Sequence, residues 1–181
     1  MPPVDHTLFL AARVVGAVLF GMSAWHHARD LAGFRAAIEG YRLLPGGAFG
    51  VVALAIIAAE ACIAVSLASG LLLYMGALVA VCLLALFAVA IAINLLRGRT
   101  DIDCGCSWAR GGTRLGWGLV LRNGLIITLL ATLLAPVQGS PGALQVIDGI
   151  GAGLAVLLGY HIAGEFLSLA RRSKEGRRVE S

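Results

Sequence analysis

Residues 48–96 read AFGVVALAIIAAEACIAVSLASGLLLYMGALVAVCLLALFAVAIAINLL, and Glu60 is the sole charged side chain in them. A helix crosses the hydrocarbon of a bilayer in about 20 residues at ~1.5 Å per residue. The stretch is too long for one crossing and long enough for two. Ser69-Gly70 supplies the break, so the sequence predicts two antiparallel membrane helices joined by a tight turn.

Working outward, further apolar runs fall at residues 7–27, 116–135 and 143–170, and PVQGSPG at 136–142 separates the last two. The chain has 181 residues, 59% hydrophobic and 13% charged, against ~25% charged in soluble domains. That apolar excess is more than a soluble core of this length can bury, and lipid is the solvent that accommodates it. The fold class is therefore all-α, a polytopic membrane helix bundle of about five transmembrane helices. The start, MPPVDHT, lacks a basic n-region, so the first run reads as a retained span. Residues 1–170 are expected to form one integral membrane domain, with 171–181, rich in Lys and Arg, as a flexible basic tail.

Between the first two spans, Leu31, Phe34, Ile38 and Tyr41 recur at spacings of three and four, with Arg29, Asp30, Arg35, Glu39 and Arg42 around them. This pattern is an amphipathic helix lying at the membrane interface, stopped by Pro45 and the glycines after it. Of 14 Lys and Arg, all but Arg13 and Arg122 fall in the 26–46 segment, the 97–115 connection or the tail. Five crossings put those three segments on one side. The positive-inside rule makes that side cytoplasmic and the N-terminus external, and the expected location is the cytoplasmic (inner) membrane. The same distribution explains a pI near 9.2 without nucleic acid as a partner.

Charges within the spans need partners, because each alone is costly in lipid. Counted from the charged end, Arg13 and Glu60 lie at similar depth, and the spacing predicts an Arg13–Glu60 ion pair. A water-lined or protonated Glu60 is the alternative. Arg122 and Asn123 lie only about two turns inside, so Arg122 can snorkel outward. Asn94, His161 and Glu165 approach the same end. Trp25, Trp108 and Trp117 read as interface aromatics. His26 and His27 read as interfacial side chains closing the first span.

The chemistry-bearing feature is Cys104-Gly105-Cys106, in the connection RGRTDIDCGCSWAR. Two thiols flanking one glycine can close a small strained disulfide, and strained accessible disulfides are oxidising and exchangeable. Arg97, Arg99 and Arg110 favour thiolate there, while Asp101 and Asp103 oppose it. A metal site completed by His26, His27 or His161 also fits these residue types, as do inert structural cysteines. Cys62 and Cys82 are offset in depth by ~6–8 Å in antiparallel helices, outside disulfide reach. They are expected to be ordinary buried cysteines.

The residues His27-Ala-Arg-Asp-Leu-Ala-Gly-Phe-Arg35 and Tyr41-Arg-Leu-Leu-Pro45, then Asn94-Leu-Leu-Arg-Gly-Arg99, Asp101-Ile-Asp-Cys-Gly-Cys106 and Leu121-Arg-Asn123, resemble in order the segments of the MauE proteins of methylamine utilisation. They span roughly residues 15 to 125. The resemblance implies a DoxX-like multipass membrane protein needed to mature the disulfide-rich small subunit of methylamine dehydrogenase. It also implies a thioredoxin-like, membrane-attached partner of the MauD type. Carried over by position, Cys104 and Cys106 are the exchanging thiols, and Arg97, Arg99, Asp101 and Asp103 shape their loop. The family usually continues with Phe-Gly where this chain has Ser107-Trp108, which leaves the client open.

Two functional classes follow. One is a membrane thiol–disulfide exchanger that passes electrons between the Cys-Gly-Cys pair, a thioredoxin-like partner and a membrane quinone. The other is a non-catalytic anchor or assembly factor that uses its basic surfaces for docking. A transporter fits less well, since internal repeats are absent and embedded charges are few. No nucleotide loop, hydrolase triad or HExxH stands in the sequence. One tension is intrinsic: disulfides form outside the cytoplasm, while the charge distribution puts the cysteine pair inside.

Overall fold

The computed structural model describes residues 5–45, 47–100, 115–137 and 139–179, with the backbone alone for 165–179. Among them the elements are α1 (His6–Arg29), α2 (Leu31–Tyr41), α3 (Phe49–Ser69), α4 (Leu73–Leu96), α5 (Trp117–Ala131), a short 3-10 turn at Thr132–Leu134, and α6 (Ala143–Val179), without a strand. Five of these helices are long and apolar enough to cross a membrane, α5 together with its 3-10 turn. The exception, α2, is the amphipathic segment. The chain is a multi-pass helical membrane protein.

Local chemistry sets the helix ends. Asp5 caps α1 by accepting from the Thr7 amide at 2.6 Å, satisfying one of the orphan donors of a first turn. Asp30 closes α1 with its own N–H to His26 O and opens α2 by accepting from Gly33 N at 2.9 Å. One residue thereby turns the chain from a spanning helix into the interfacial one. Gly70 ends α3 at φ +80, a left-handed conformation that glycine adopts without a Cβ clash, and α4 runs back from there.

Helices α1, α3, α4 and α5 enclose the main core, which gathers Ala12, Phe20, Ile63, Leu67, Ala80, Leu84, Leu130 and Leu133. At its centre Gly16 lets α1 come close: a Cβ there would stand 2.6 Å from Leu67 Cδ1 and 2.8 Å from Leu130 Cδ2. A smaller cluster at the charged end joins Ile91 and Leu115 with Tyr41, Leu95 and Leu119. Among the described residues the backbone of α6 packs on α1 alone. The contact is seated on Gly149 and Gly153, which face Leu10 and Val14. Small residues four apart permit such close approach in lipid, where packing rather than water release drives association. The backbone of α6 stays helical through the basic stretch expected as a tail, as far as Val179.

Cys62 and Cys82 are free, and both are exposed on the bundle surface rather than buried among protein side chains. In so thin a bundle much of each helix perimeter meets lipid, and a thiol behaves there as a small hydrophobe. Trp25 and Trp117 are exposed. The Arg29 guanidinium lies 4.4 Å from the centroid of the Trp25 ring. Trp108 lies outside the described residues.

Candidate functional site

Polar side chains gather at the end of the bundle where α1 finishes, α2 lies across, α4 finishes and α5 begins. Two hydrogen-bonded groups define it. In the first, Glu60 of α3 is 1% exposed and His27 of α1 is 2% exposed. His27 Nδ1 stands 2.9 Å from Glu60 Oε2, and Ser23 Oγ donates to Glu60 Oε1 at 2.8 Å. Phe34 of α2 stacks on the His27 imidazole, with centroids 3.8 Å apart and an 8° interplanar angle. The amphipathic helix thus does more than float at the interface. It lays its apolar face over a buried acid–base pair.

This arrangement replaces the expected Arg13–Glu60 ion pair. Arg13 instead donates from Nε to Leu67 O at 3.1 Å and from Nη2 to Ala68 O at 3.3 Å, neutralising carbonyls that the last turn of α3 leaves unpaired. The cause is a vertical offset. Gly16 faces Leu67, Gly21 faces Ala64, and Ser23 reaches Glu60, so the end of α1 lies opposite the second turn of α3 rather than its start. The first turn of α3 projects roughly 9 Å further, and α2 fills the step, with Arg35 beside Gly50. The offset carries Arg13 past Glu60 and brings His27 up to it. His26 and His27, expected as a matched interfacial pair, are separated by it as well: His26 is exposed and His27 is buried.

The second group is built on Arg99. Its Nη1 donates to Asn94 Oδ1 at 3.1 Å and to Tyr41 O at 3.3 Å, and its Nη2 donates to Gly40 O at 3.0 Å. Asn94 is fully buried and donates in turn to Ala90 O at 3.1 Å. One guanidinium therefore ties the C-terminal carbonyls of α2 to the last turn of α4, using the planar fork that Arg offers and Lys lacks. Arg99 is also the point from which the chain proceeds toward the cysteines, so the start of that connection is fixed against α2.

Arg97 is exposed, and Asn123 is buried. Arg122 of α5 is half-buried. Its Nε is buried without a hydrogen-bond partner, and the guanidinium lies 5.1 Å from the centroid of the Tyr160 ring, a cation–π contact that bridges α5 and α6. Asp101, Asp103, Cys104, Cys106 and Arg110 lie outside the described residues. Among those described, no three His, Cys, Asp or Glu side chains gather as a metal site would require.

Comparison with known proteins adds the decisive observation. The family profile described as "Methylamine utilisation protein MauE" matches residues 5–136. The chain belongs to the MauE family. Methylamine utilization protein MauE of Paracoccus denitrificans is 41% identical over 157 residues, 83% of this chain and 82% of that protein. Its counterpart in Paracoccus versutus is 35% identical over 164 residues, 90% of this chain and 88% of that protein. The MauE of Methylorubrum extorquens is 48% identical over 82 residues, 43% of this chain and 44% of that protein. No solved structure matches. The MauE profile takes in the four-helix core, α2, the Glu60–His27 pair, Arg99 and the cysteine-bearing connection, and it stops before α6.

The sequence signalled Asn94, Arg99, His27 and Glu60 but not their grouping. Ser23, Phe34 and the carbonyls of Gly40 and Tyr41 were missed as functional groups. Phe34 was visible only as one apolar position of an amphipathic helix, and backbone acceptors leave no trace in residue type.

Proposed function

We propose that this protein acts in methylamine utilisation as a membrane thiol–disulfide exchanger, with Cys104 and Cys106 as the exchanging pair. The family match supports the setting. The observation that carries the chemistry is the Arg99 anchor, which holds the start of the Cys-Gly-Cys connection against the buried polar end of the bundle. Arg97, Asp101 and Asp103 set the charge around the thiols, and Asn94 sets the position of Arg99. Arg122 and Asn123 belong to the same end.

In the exchange, the thiolate of one cysteine attacks a sulfur of a partner disulfide. The new S–S bond forms as the old one breaks, and the departing sulfur leaves with the electron pair. The second cysteine then closes the Cys104–Cys106 disulfide and releases the reduced partner. In the opposite direction the closed pair oxidises a client dithiol. The partner class is a thioredoxin-like, membrane-attached protein of the MauD type, and the client is a disulfide-rich subunit like the small subunit of methylamine dehydrogenase. A membrane quinone, taking two electrons and two protons to become quinol, is the terminal oxidant in this scheme. The charge distribution orients the chain in the inner membrane with its N-terminus outside and its C-terminus in the cytoplasm.

Replacing Cys104 and Cys106 with Ser, singly and together, tests the exchange. The expected result is loss of client disulfides and of growth on methylamine. Full client maturation in all three variants rejects the exchange and leaves a docking role for the basic face of α2. A membrane-impermeant thiol reagent on intact cells decides which side the pair faces.

A further inference from the structure

Two arginines lie within the spans, and their donors meet different fates. Arg13 gives its Nε and Nη2 to carbonyls at the end of α3. The Nε of Arg122 is the one buried side-chain nitrogen or oxygen without a hydrogen-bond partner among the described residues. Its guanidinium faces the Tyr160 ring at 5.1 Å. Such a contact attracts the charge but leaves the in-plane N–H donors unanswered. No described carboxylate neutralises the group either. Glu60 is buried and bound to Ser23 and His27. Asp148 lies about twelve residues before Tyr160 on α6, roughly 18 Å toward the opposite end. Arg122 itself stands about five residues into α5, roughly 8 Å from Trp117, where an uncompensated cation is costly.

The surroundings leave room for the missing anion. Among the described residues the backbones of α5 and α6 make no close contact, and both lean on α1. A gap therefore opens sideways between them, bridged by Arg122 and Tyr160. One helical turn nearer the charged end stand Gly118 on α5 and Gly164 on α6. A Cβ on either glycine would meet no atom within 4 Å, so the approach to the guanidinium from that end is clear. One turn the other way the walls become apolar, with Leu125 exposed and Leu157 half-buried. Open glycines, then a half-buried cation, then leucines follow the order of a lipid molecule: headgroup, phosphate, acyl chain.

We propose that Arg122, Tyr160, Gly118 and Gly164 form a notch between α5 and α6 that binds the headgroup of an anionic phospholipid from the leaflet at the charged end. The lipid phosphate takes the N–H donors of Arg122, whose planar fork matches phosphate oxygens two at a time, and the acyl chains run down along the leucines. Basic pockets between membrane helices hold anionic headgroups by this chemistry. The basic stretch that continues α6, from Arg171 onward, enriches such lipids nearby. A second copy of the chain fits less well. Of its described acids within the spans, Glu60 is buried and Asp148 sits toward the opposite end.

The test is native mass spectrometry of the full chain, released from detergent micelles that hold equal amounts of phosphatidylglycerol and phosphatidylcholine. The expected result is retention of phosphatidylglycerol over phosphatidylcholine by the wild type. Arg122→Gln should weaken that retention roughly tenfold or more, the loss of a hydrogen-bonded charge. Gly118→Leu, which fills the notch and keeps the cation, should weaken it as well. Arg42→Gln, at the exposed end of α2, should leave it unchanged. Equal retention of the two lipids by the wild type overturns the notch, as does undiminished retention in either notch variant or an equal loss in Arg42→Gln. A dimer that Arg122→Gln dissociates also overturns it, because a second copy then fills the gap. Where Arg122→Gln does not fold, the wild type and Gly118→Leu still decide.

Discussion

Replacing Arg99 with Ala removes three hydrogen bonds at once, and the structure sets the size of the loss. Its partners differ in access to water. Asn94 is 0% exposed, so its Oδ1 becomes a buried acceptor without a donor, at a cost of about 1–3 kcal/mol. The carbonyls of Gly40 and Tyr41 end an interfacial helix, where water can reach them, so their loss contributes less, roughly 0.5–1 kcal/mol together. The sum is roughly 3 kcal/mol, which for a chain of this length shifts the unfolding midpoint by roughly 6–12 °C. Arg99→Lys should recover only a minor part, because an ammonium cannot fork between Asn94 and two carbonyls. The assay is thermal unfolding in detergent, with trypsin cleavage after Arg42 as a local reporter of α2 undocking. An Asn94→Ala, Arg99→Ala double-mutant cycle should give a coupling of about 1 kcal/mol. Midpoints for Arg99→Ala and Arg99→Lys that both lie within about 1 °C of wild type, well below one kcal/mol of effect, would refute the reasoning that this guanidinium fastens α2 to α4.

Two other consequences can be measured directly. Gly153→Val places a Cβ 2.9 Å from Val14 Cβ and 3.1 Å from Ala11 O, well inside the ~3.5–4.0 Å that carbon contacts prefer. Since the backbone of α6 packs on α1, with α5 reaching it through the Arg122–Tyr160 contact, overpacking of about 1–3 kcal/mol should loosen α6 selectively. Hydrogen exchange should then speed up in α6 and stay unchanged in α4, and equal α6 protection in Gly153→Val and wild type would count against the seat. The second concerns acid. The Thr7 amide bonded to Asp5 holds its carboxyl below the ordinary carboxylate value of 3.8. A depressed folded-state value means that the cap is fully present above the unfolded pKa and is lost as pH falls through the folded one. Exchange at the Thr7 amide should therefore rise in that acidic window, and Asp5→Asn should flatten the response.

The five spans, the turn at Ser69-Gly70 and the interfacial helix follow from short-range rules of length, periodicity and solvent, so each segment declares itself without reference to the others. The gathering of polar residues at one end was legible for the same reason, because charge segregates with topology. Asn94 and Arg99 stood out as polar residues beside an apolar span, and the strings around them carried the family resemblance. The sequence by itself therefore determined what kind of molecule this is and at which end of it the polar side chains gather.

Only the tertiary structure decided the pairings. Glu60 belongs to His27 rather than Arg13 because α1 and α3 meet with an offset of more than one turn, and no local signal encodes how far one helix slides along another. The same lateral arrangement turned Cys62 and Cys82 outward, set the backbone of α6 against α1, and swung α2 over the imidazole. Relative height and rotation of helices are set by the sum of many weak contacts across the bundle. They are properties of the assembled packing, which no single segment contains.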